Sequence, residues 1–334
     1  MTRAIHVRAP CRLHFGMFSF GHTDRPQFGG VGVMVEPPAV EVAISRAAKF
    51  RVVGSLAERA KQFAEAAARA WKVPSLPACE IRVQSPSNHV GLGVGTQLAL
   101  SVAAGLRRLL ELPDVPAEEL AAHMGRGVRS AVGTLGFQHG GLIVDAGHVP
   151  GQTIGRLAQR LAVPEGWRFV LVCPANQRGL AGTSEADAFG RLPPVPASVT
   201  RELWRITEEE MLPAVERADC RAFGDAVYRF GRMAGECFAA VQGGPFADAR
   251  IERLVESIRD RGVAGVGQSS WGPTVFAVCA SAAEGLALRE WLRSEKEFAE
   301  GEITLARPKS QGACINEDFM SGGSLSLDPS HPMH

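Results

Sequence analysis

The run NHVGLGVGTQLALSVAAGL, Asn88 to Leu106, joins a glycine-rich turn to an amphipathic helix, an arrangement suited to holding an anion. Gly91, Gly93 and Gly95 let backbone N–H groups turn inward with no Cβ in the way. A helix beginning at Thr96 brings free amides and its positive dipole end to the same spot, and Thr96 and Gln97 add polar contacts. No G-K-[ST] follows, so the run is not a P-loop. Its G-x-G-x-G spacing also differs from the dinucleotide G-x-G-x-x-G. On the loop alone, a phosphate pocket and a plain tight turn both stay open.

Other segments carry residues fit for the same chemistry. GRGVRSAVGTLGFQHGG (125–141) holds Arg126, Arg129, Ser130 and Gln138; the two arginines share a face if the stretch is helical, a solvated face being the plainer alternative. Arg12 and His14, two apart on an early strand, point to one side; a strand histidine is otherwise a core or rim residue. GVGQSSWGPTVFAV (265–278) sets Ser269, Ser270 and Trp271 between two short strands, where a bulged hairpin with a packed indole is the alternative. Arg178, in NQRGLAGTSE, is a further cation on what could be an ordinary surface loop. Asp145 and Glu185 are the carboxylates to consider for Mg²⁺, but neither belongs to a metal-spaced cluster, and no zinc pattern is present.

The elements that must position these groups follow from periodicity. AIHVRAPCRLHFGMF and AVEVAISRAAKFRVVG alternate as strands. Residues 56–71 have helical spacing, with Ala60, Phe63, Ala67 and Trp71 along one face. ACEIRVQSP is a strand before the glycine turn, a helix begins near Pro116, and GGLIVDAG is a strand. Pro and Gly punctuate 150–167, which marks a boundary. RFVLVCPA then opens a second domain, with helices over 199–216, 219–242 and 247–261, a strand–loop–strand through 265–278, and a helix in AAEGLALREWLRSE. The expected organisation is α+β, with an N-terminal domain over 1–160, a C-terminal domain over 161–319 and a disordered tail at 320–334.

Composition narrows the function class. The chain has 334 residues, 46% hydrophobic, with a formal net charge of +1, which gives no general nucleic-acid or membrane surface. Arginine supplies nearly all the positive charge and suits phosphate or carboxylate, although a GC-rich genome explains the same bias. Seven scattered cysteines with no C-x-x-C pair read as reduced thiols of a cytoplasmic protein. No apolar run reaches membrane length.

In order and spacing, APCRLHFGM, PSNHVGLGVGTQLA and SSWGPTVFA resemble the three motifs of the GHMP-kinase superfamily, nearly the whole chain to about residue 319 being covered. The resemblance implies a ribosomal-S5-like N-terminal domain and a ferredoxin-like C-terminal domain with the active site between them. Two departures bear on chemistry. Val94 and Gly95 stand where the kinases carry a Ser-Ser pair, and the kinase aspartate falls on Gly133, which has no carboxylate to act as base. HVGLGVGTQ, RSAVGTLGFQHGG, RGLAGTSE, GVGQSSWGPTVFA and the R-L-H-F-G of Arg12–Gly16 instead resemble the β-ribofuranosylaminobenzene 5′-phosphate synthase branch of that superfamily.

That branch implies condensation of 4-aminobenzoate with 5-phosphoribosyl 1-diphosphate, releasing CO₂ and diphosphate, in tetrahydromethanopterin biosynthesis. Arg12, His14, Arg126 and Arg129 are then the expected catalytic groups. Gly91, Gly93, Gly95, Thr96, Gln97, Ser130, Gln138, Arg178, Ser269, Ser270 and Trp271 are expected to bind phosphate or substrate, the indole stacking on the acceptor ring. Mg²⁺ is expected to arrive on the diphosphate, with no organic cofactor, nucleic-acid or membrane partner. Oligomeric state stays open, a homodimer being the common assembly of symmetric enzymes. Two other readings remain: an ATP-dependent small-molecule kinase using Asp145 or Glu185 in place of the missing aspartate, and a non-catalytic regulator on the same fold.

Overall fold

The computed structural model describes residues 2–174, 187, 189–296 and 298–320. The strands are β1 (Thr2–Met17), β2 (Gly30–Arg46), β3 (Arg51–Gly54), β4 (Cys79–Gln84), β5 (Leu142–Asp145), β6 (Leu157–Leu161), β7 (Arg168–Val172), β8 (Gly265–Gln268), β9 (Val275–Cys279), β10 (Ile303–Pro308) and β11 (Cys314–Met320). They join one sheet whose main path runs β11-β1-β2-β10-β7-β9-β8, with β4 and β5 also pairing β2. The architecture is α+β, as expected from the sequence.

Strand alternation decides which side of β1 faces the site. Ile5, Val7, Ala9, Cys11, Leu13 and Phe15 are all buried in the core. Arg12 and His14 therefore project from the opposite face, where bulges after Pro10 and after His14 re-aim the strand.

The helices are α1 (Ala57–Ala70), α2 (Val94–Leu109), α3 (Ala117–His123), α4 (Val132–His139), α5 (Ala197–Arg205), α6 (Leu212–Glu216), α7 (Cys220–Glu236), α8 (Ala239–Gln242), α9 (Ala249–Asp260) and α10 (Ala282–Glu295). The α2 helix is apolar almost all round, and Leu98, Leu100 and Leu106 are fully enclosed; each such side chain contributes about 1.5–3 kcal/mol on burial. Arg107 and Arg108 lie in its last turn, matching the dipole. Its start is capped by Gly93 in the left-handed region, with no side-chain cap.

Three expectations are revised. The segment 150–167 is more than a boundary, because it contains β6, paired with β5. Arg126 and Arg129 do not share a helix face; they sit in the turn before α4. The long helix over 199–216 is interrupted by a π-helical stretch at Ile206–Met211.

The two expected domains share both sheet and core. Glu36 and Val35 of β2 pair Arg307 and Pro308 of β10, and β11 runs beside β1 from Arg8↔Cys314 to Thr2↔Met320. Phe15 of the first part meets Phe223 and Phe276 of the second, at ring centroid distances of 6.2 and 5.3 Å. Phe18 stacks on Trp204 at 4.0 Å. Where β2 and β1 turn toward the second part, a cleft opens.

Candidate active site

The glycine loop is built against the loop between β8 and β9. Gly91 and Gly93 have φ of 91° and 69°, which glycine adopts at no steric cost. Ser269 Oγ donates to Gly91 O at 2.6 Å and accepts from His14 N at 3.0 Å. Thr274 Oγ1 donates to Val90 O at 2.5 Å, and Ser270 N donates to His14 O at 3.1 Å. Three segments distant in sequence are thereby tied at one point.

A cleft of about 540 Å³ runs along this junction. Its lining includes Arg12, Arg59, Arg126 and Arg129, and among the described residues that line it there is no carboxylate. Arg12 lies along Gly93: a Cβ there would stand 3.2 Å from its Cβ and 3.4 Å from its Nε. Arg126 donates to Thr96 Oγ1 at 3.3 Å. Arg129 caps the Phe189 ring with its guanidinium 5.3 Å from the centroid. Burial lowers the pKa of Arg59, so this side chain holds its charge at a cost.

His14 stands where this cationic cleft meets a smaller apolar chamber, and Met17, Ser270 and Trp271 line both. Phe238, Phe246 and Phe276 complete the apolar side. The indole of Trp271 is held edge-on by Phe238 at 4.8 Å and Phe189 at 5.9 Å. Its own faces are not stacked in either contact.

His14 is 2% exposed, and its Nε2 lies 3.1 Å from Ser130 Oγ. Burial first, and then the charge of Arg12, hold the imidazole well below its usual pKa range, so it is neutral at physiological pH. Beyond Ser130 lies Asp145, fully buried, whose oxygens accept from Ala131 N at 2.7 Å and Gly147 N at 2.8 Å. Burial raises its pKa to about 6 against those hydrogen bonds, the charge of His148 and the Ser130 hydroxyl. At neutral pH the carboxylate is mostly ionised and can only accept. A Ser130 proton directed to it leaves Ser130 Oγ to accept from His14 Nε2–H, which makes Nδ1 the lone-pair nitrogen.

The structure thus brings together Arg12, His14, Gly91, Gly93, Thr96, Arg126, Arg129, Ser130, Ser270 and Trp271, with Gly95 buried at the start of α2. Three expected binding residues do other work. Gln97 is fully buried and donates to Gly133 O at 2.8 Å, tying α2 to α4. Gln138 is exposed and caps α3, accepting from Ala117 N at 2.7 Å. Ser269 is fully buried and spends its hydroxyl on the loop junction. Arg178 and Glu185 lie outside the described residues.

Arg59 was not expected. It sits on α1, whose AERAKQF reads as an ordinary solvated helix face; only the long-range packing of α1 beside the glycine loop brings it to the cleft.

The kinase departures also acquire locations. Val94 is 2% exposed, an apolar anchor for the start of α2. A Cβ on Gly133 would lie 3.5 Å from Thr96 Cγ2, in ordinary contact, so position 133 has space for a side chain but itself carries no acid. Asp145 is locked under Ser130 by two backbone donors. Among the described residues no three His, Cys, Asp or Glu side chains gather as a metal site, and no helix is long and apolar enough to cross a membrane.

Comparison with known proteins bears on these features together. Residues 211–295 match the GHMP kinase C-terminal domain family. The chain is 32% identical over 321 residues to a beta-ribofuranosylphenol 5′-phosphate synthase of Archaeoglobus fulgidus, covering 91% of this chain and 97% of that one. It is 30% identical to the protein of that name from Methanothermobacter thermautotrophicus, with 83% and 89% covered. Among solved structures, a putative homoserine kinase from Listeria monocytogenes superposes with a TM-score of 0.65 at 15% identity, over 93% of this chain and 99% of that one. Mevalonate diphosphate decarboxylase from Staphylococcus aureus gives 0.62 at 15% identity, over 95% and 98%. These structural likenesses extend the GHMP fold to both parts of the molecule.

Proposed function

The chain belongs to the beta-ribofuranosylphenol 5′-phosphate synthase family within the GHMP superfamily, and from that premise we propose that it condenses 5-phosphoribosyl 1-diphosphate with a 4-substituted benzoate. The observation that carries the reading is the pairing of an arginine-lined cleft with an aromatic chamber across His14 and Trp271. The phosphate groups would lie along the arginines and the glycine loop, and the acceptor ring against Trp271, with ribose C1 where the chambers meet.

In the reaction the C1–O bond breaks and its electrons leave with the diphosphate. Arg12, Arg126, Arg129 and the amides at the start of α2 stabilise that growing charge. The ring carbon bearing the carboxylate bonds to C1. The bond to the carboxylate then breaks, its electrons restore the aromatic ring, and CO₂ departs. No proton is gained or lost overall. The neutral His14 adds no positive charge beside the cationic sugar carbon. Mg²⁺ would enter on the diphosphate, since the described residues of the cleft wall offer cations rather than carboxylates.

4-Aminobenzoate is the acceptor expected from the sequence, with the product serving tetrahydromethanopterin biosynthesis. The relatives' name specifies a phenol, which favours the hydroxyl analogue, 4-hydroxybenzoate, as a second acceptor. Either substituent donates electrons to the opposite ring carbon, so the chemistry accommodates both. The test is to supply carboxyl-labelled 4-aminobenzoate and 4-hydroxybenzoate in parallel with phosphoribosyl diphosphate and Mg²⁺. Labelled CO₂ matched by diphosphate is expected; no release from either acceptor, with ATP consumed on addition of a small alcohol, would return the chain to the kinases.

A further inference from the structure

We propose that the apolar chamber behind His14 receives the carboxylate of the acceptor, and the CO₂ it becomes, while the ring stays at the chamber mouth against Trp271. The inference rests on the function proposed above and gives its decarboxylation a place.

Size decides what can enter. The chamber encloses about 60 Å³. A cavity that takes up benzene measures about 150 Å³, so the acceptor ring does not fit inside. A carboxylate, with three heavy atoms, does.

The walls decide what the chamber does to that group. Phe15, Phe246, Val266 and Phe276 line it, and all four are buried. The amide donors beside it are spent on the main chain: Gln268 Nε2 donates to Ser270 O at 3.1 Å, and Gln242 Nε2 to Gly244 O at 3.0 Å. His14 turns its Nε2 to Ser130. Among the described residues Arg232 is the one arginine or lysine in the lining, and it is exposed, with Nη1 3.5 Å from the Tyr228 hydroxyl. Tyr228 and Arg232 also line a groove between α5 and α7, so they mark the solvent end of the chamber. A carboxylate is costly in such surroundings and neutral CO₂ is not. The chamber therefore favours the step in which the charge leaves.

Stereochemistry sets the direction. The ring carbon uses a π electron pair to bond to ribose C1 and becomes tetrahedral, with ribose and carboxylate on opposite faces of the ring. The carboxylate bond then breaks, its electron pair returns to the ring, CO₂ leaves and no proton moves. The phosphates hold the ribose on the cleft side, so the carboxylate faces the other way. His14, Met17, Ser270 and Trp271 line both cavities, and the chamber is the space beyond them. CO₂ departs past Tyr228 and Arg232 without crossing the diphosphate.

The first test uses the wild type. In 4-nitroaniline a neutral planar nitro group replaces the carboxylate of 4-aminobenzoate. It is expected to compete with 4-aminobenzoate with an inhibition constant at or below the KM of that acceptor; weaker inhibition would mean that a cation holds the carboxylate, and would overturn the proposal. The second test is Val266→Thr, which keeps the side-chain shape and adds a hydroxyl that stabilises the carboxylate. Its kcat is expected to fall about tenfold, the carboxyl ¹³C isotope effect to grow as C–C cleavage becomes the slow step, and the KM for phosphoribosyl diphosphate to stay within twofold. Val266→Ala adds no donor and should keep the wild-type isotope effect. A fall in kcat shared by both variants with isotope effects unchanged would make Val266 a packing residue. A raised acceptor KM with an unchanged isotope effect would put the ring in the chamber. Either overturns the proposal, as does a threonine variant that behaves like the wild type. A wild type that releases no CO₂ from either acceptor would instead remove the proposed function itself.

Discussion

Gly91 and Gly272 meet backbone to backbone: a Cβ on Gly272 would run into the main chain of Gly91, and one on Gly91 would strike Ser269 O. Two glycines from opposite parts of the molecule thus form a single contact, and the glycine loop takes its position from it. Gly272→Ala is expected to lower stability by about 1–3 kcal/mol through overpacking. It should also weaken phosphoribosyl diphosphate, because Gly93 and the start of α2 move with Gly91. Melting temperature and ligand titration measure the two effects, and an alanine variant unaltered in both would show that the loops have room to part.

Asp145 sets a pH signature on stability. Its folded pKa of about 6 lies above the ordinary carboxylate value of 3.8, so between these values the folded protein binds a proton that the unfolded chain has lost. Stability from this group is therefore greatest near pH 4 and below, and it is lost as pH rises through 6, by about 3 kcal/mol in all. Asp145→Asn does not titrate. The stability of the wild type relative to this variant should fall by that amount between pH 4 and 7, then stay level; a constant difference across the range would exclude the raised pKa.

Ser130 links the buried acid to His14. Ser130→Ala removes the hydroxyl from both, and kcat is expected to drop about tenfold, the worth of one buried hydrogen bond with its orientation. The KM for phosphoribosyl diphosphate should change little. Ser130→Thr keeps the hydroxyl and should recover most of kcat, whereas a purely structural serine would show itself as equal loss in both variants.

Trp271 is the test of the aromatic chamber. Trp271→Ala should raise the acceptor KM about tenfold, within the range for loss of an aromatic contact, and leave the KM for phosphoribosyl diphosphate within twofold. Equal changes in both would mean that the indole braces the whole cleft rather than one substrate.

The parts legible in the sequence were those in which local chemistry and local structure coincide. The positive φ of Gly91 and Gly93, the alternation that puts Arg12 and His14 on one face of β1, and the serines and indole between β8 and β9 are each written in a few adjacent residues. Gln97, Gln138 and Ser269 misled for a physical reason. Polar residues near a glycine loop can bind a ligand or tie the loop to its neighbours, and only the partners Gly133, Ala117 and Gly91 tell which. Arg59 was hidden for the opposite reason, since its helix is ordinary and its role comes wholly from what α1 packs beside. The strand within 150–167 was masked by the prolines and glycines around it.

The pairing of β1 with β11 has a consequence for biosynthesis. Thr2 lies opposite Met320, and Arg3 grips Glu317 with two hydrogen bonds of 3.0 Å. A ribosome releases β1 well before β11. Until β11 emerges, the nascent first lobe therefore carries a long strand with one open flank, ready to pair with any extended segment that approaches. Pairing with β11 is what seals it, so the arginine-lined cleft beside β1 acquires its final shape only once that strand has left the tunnel.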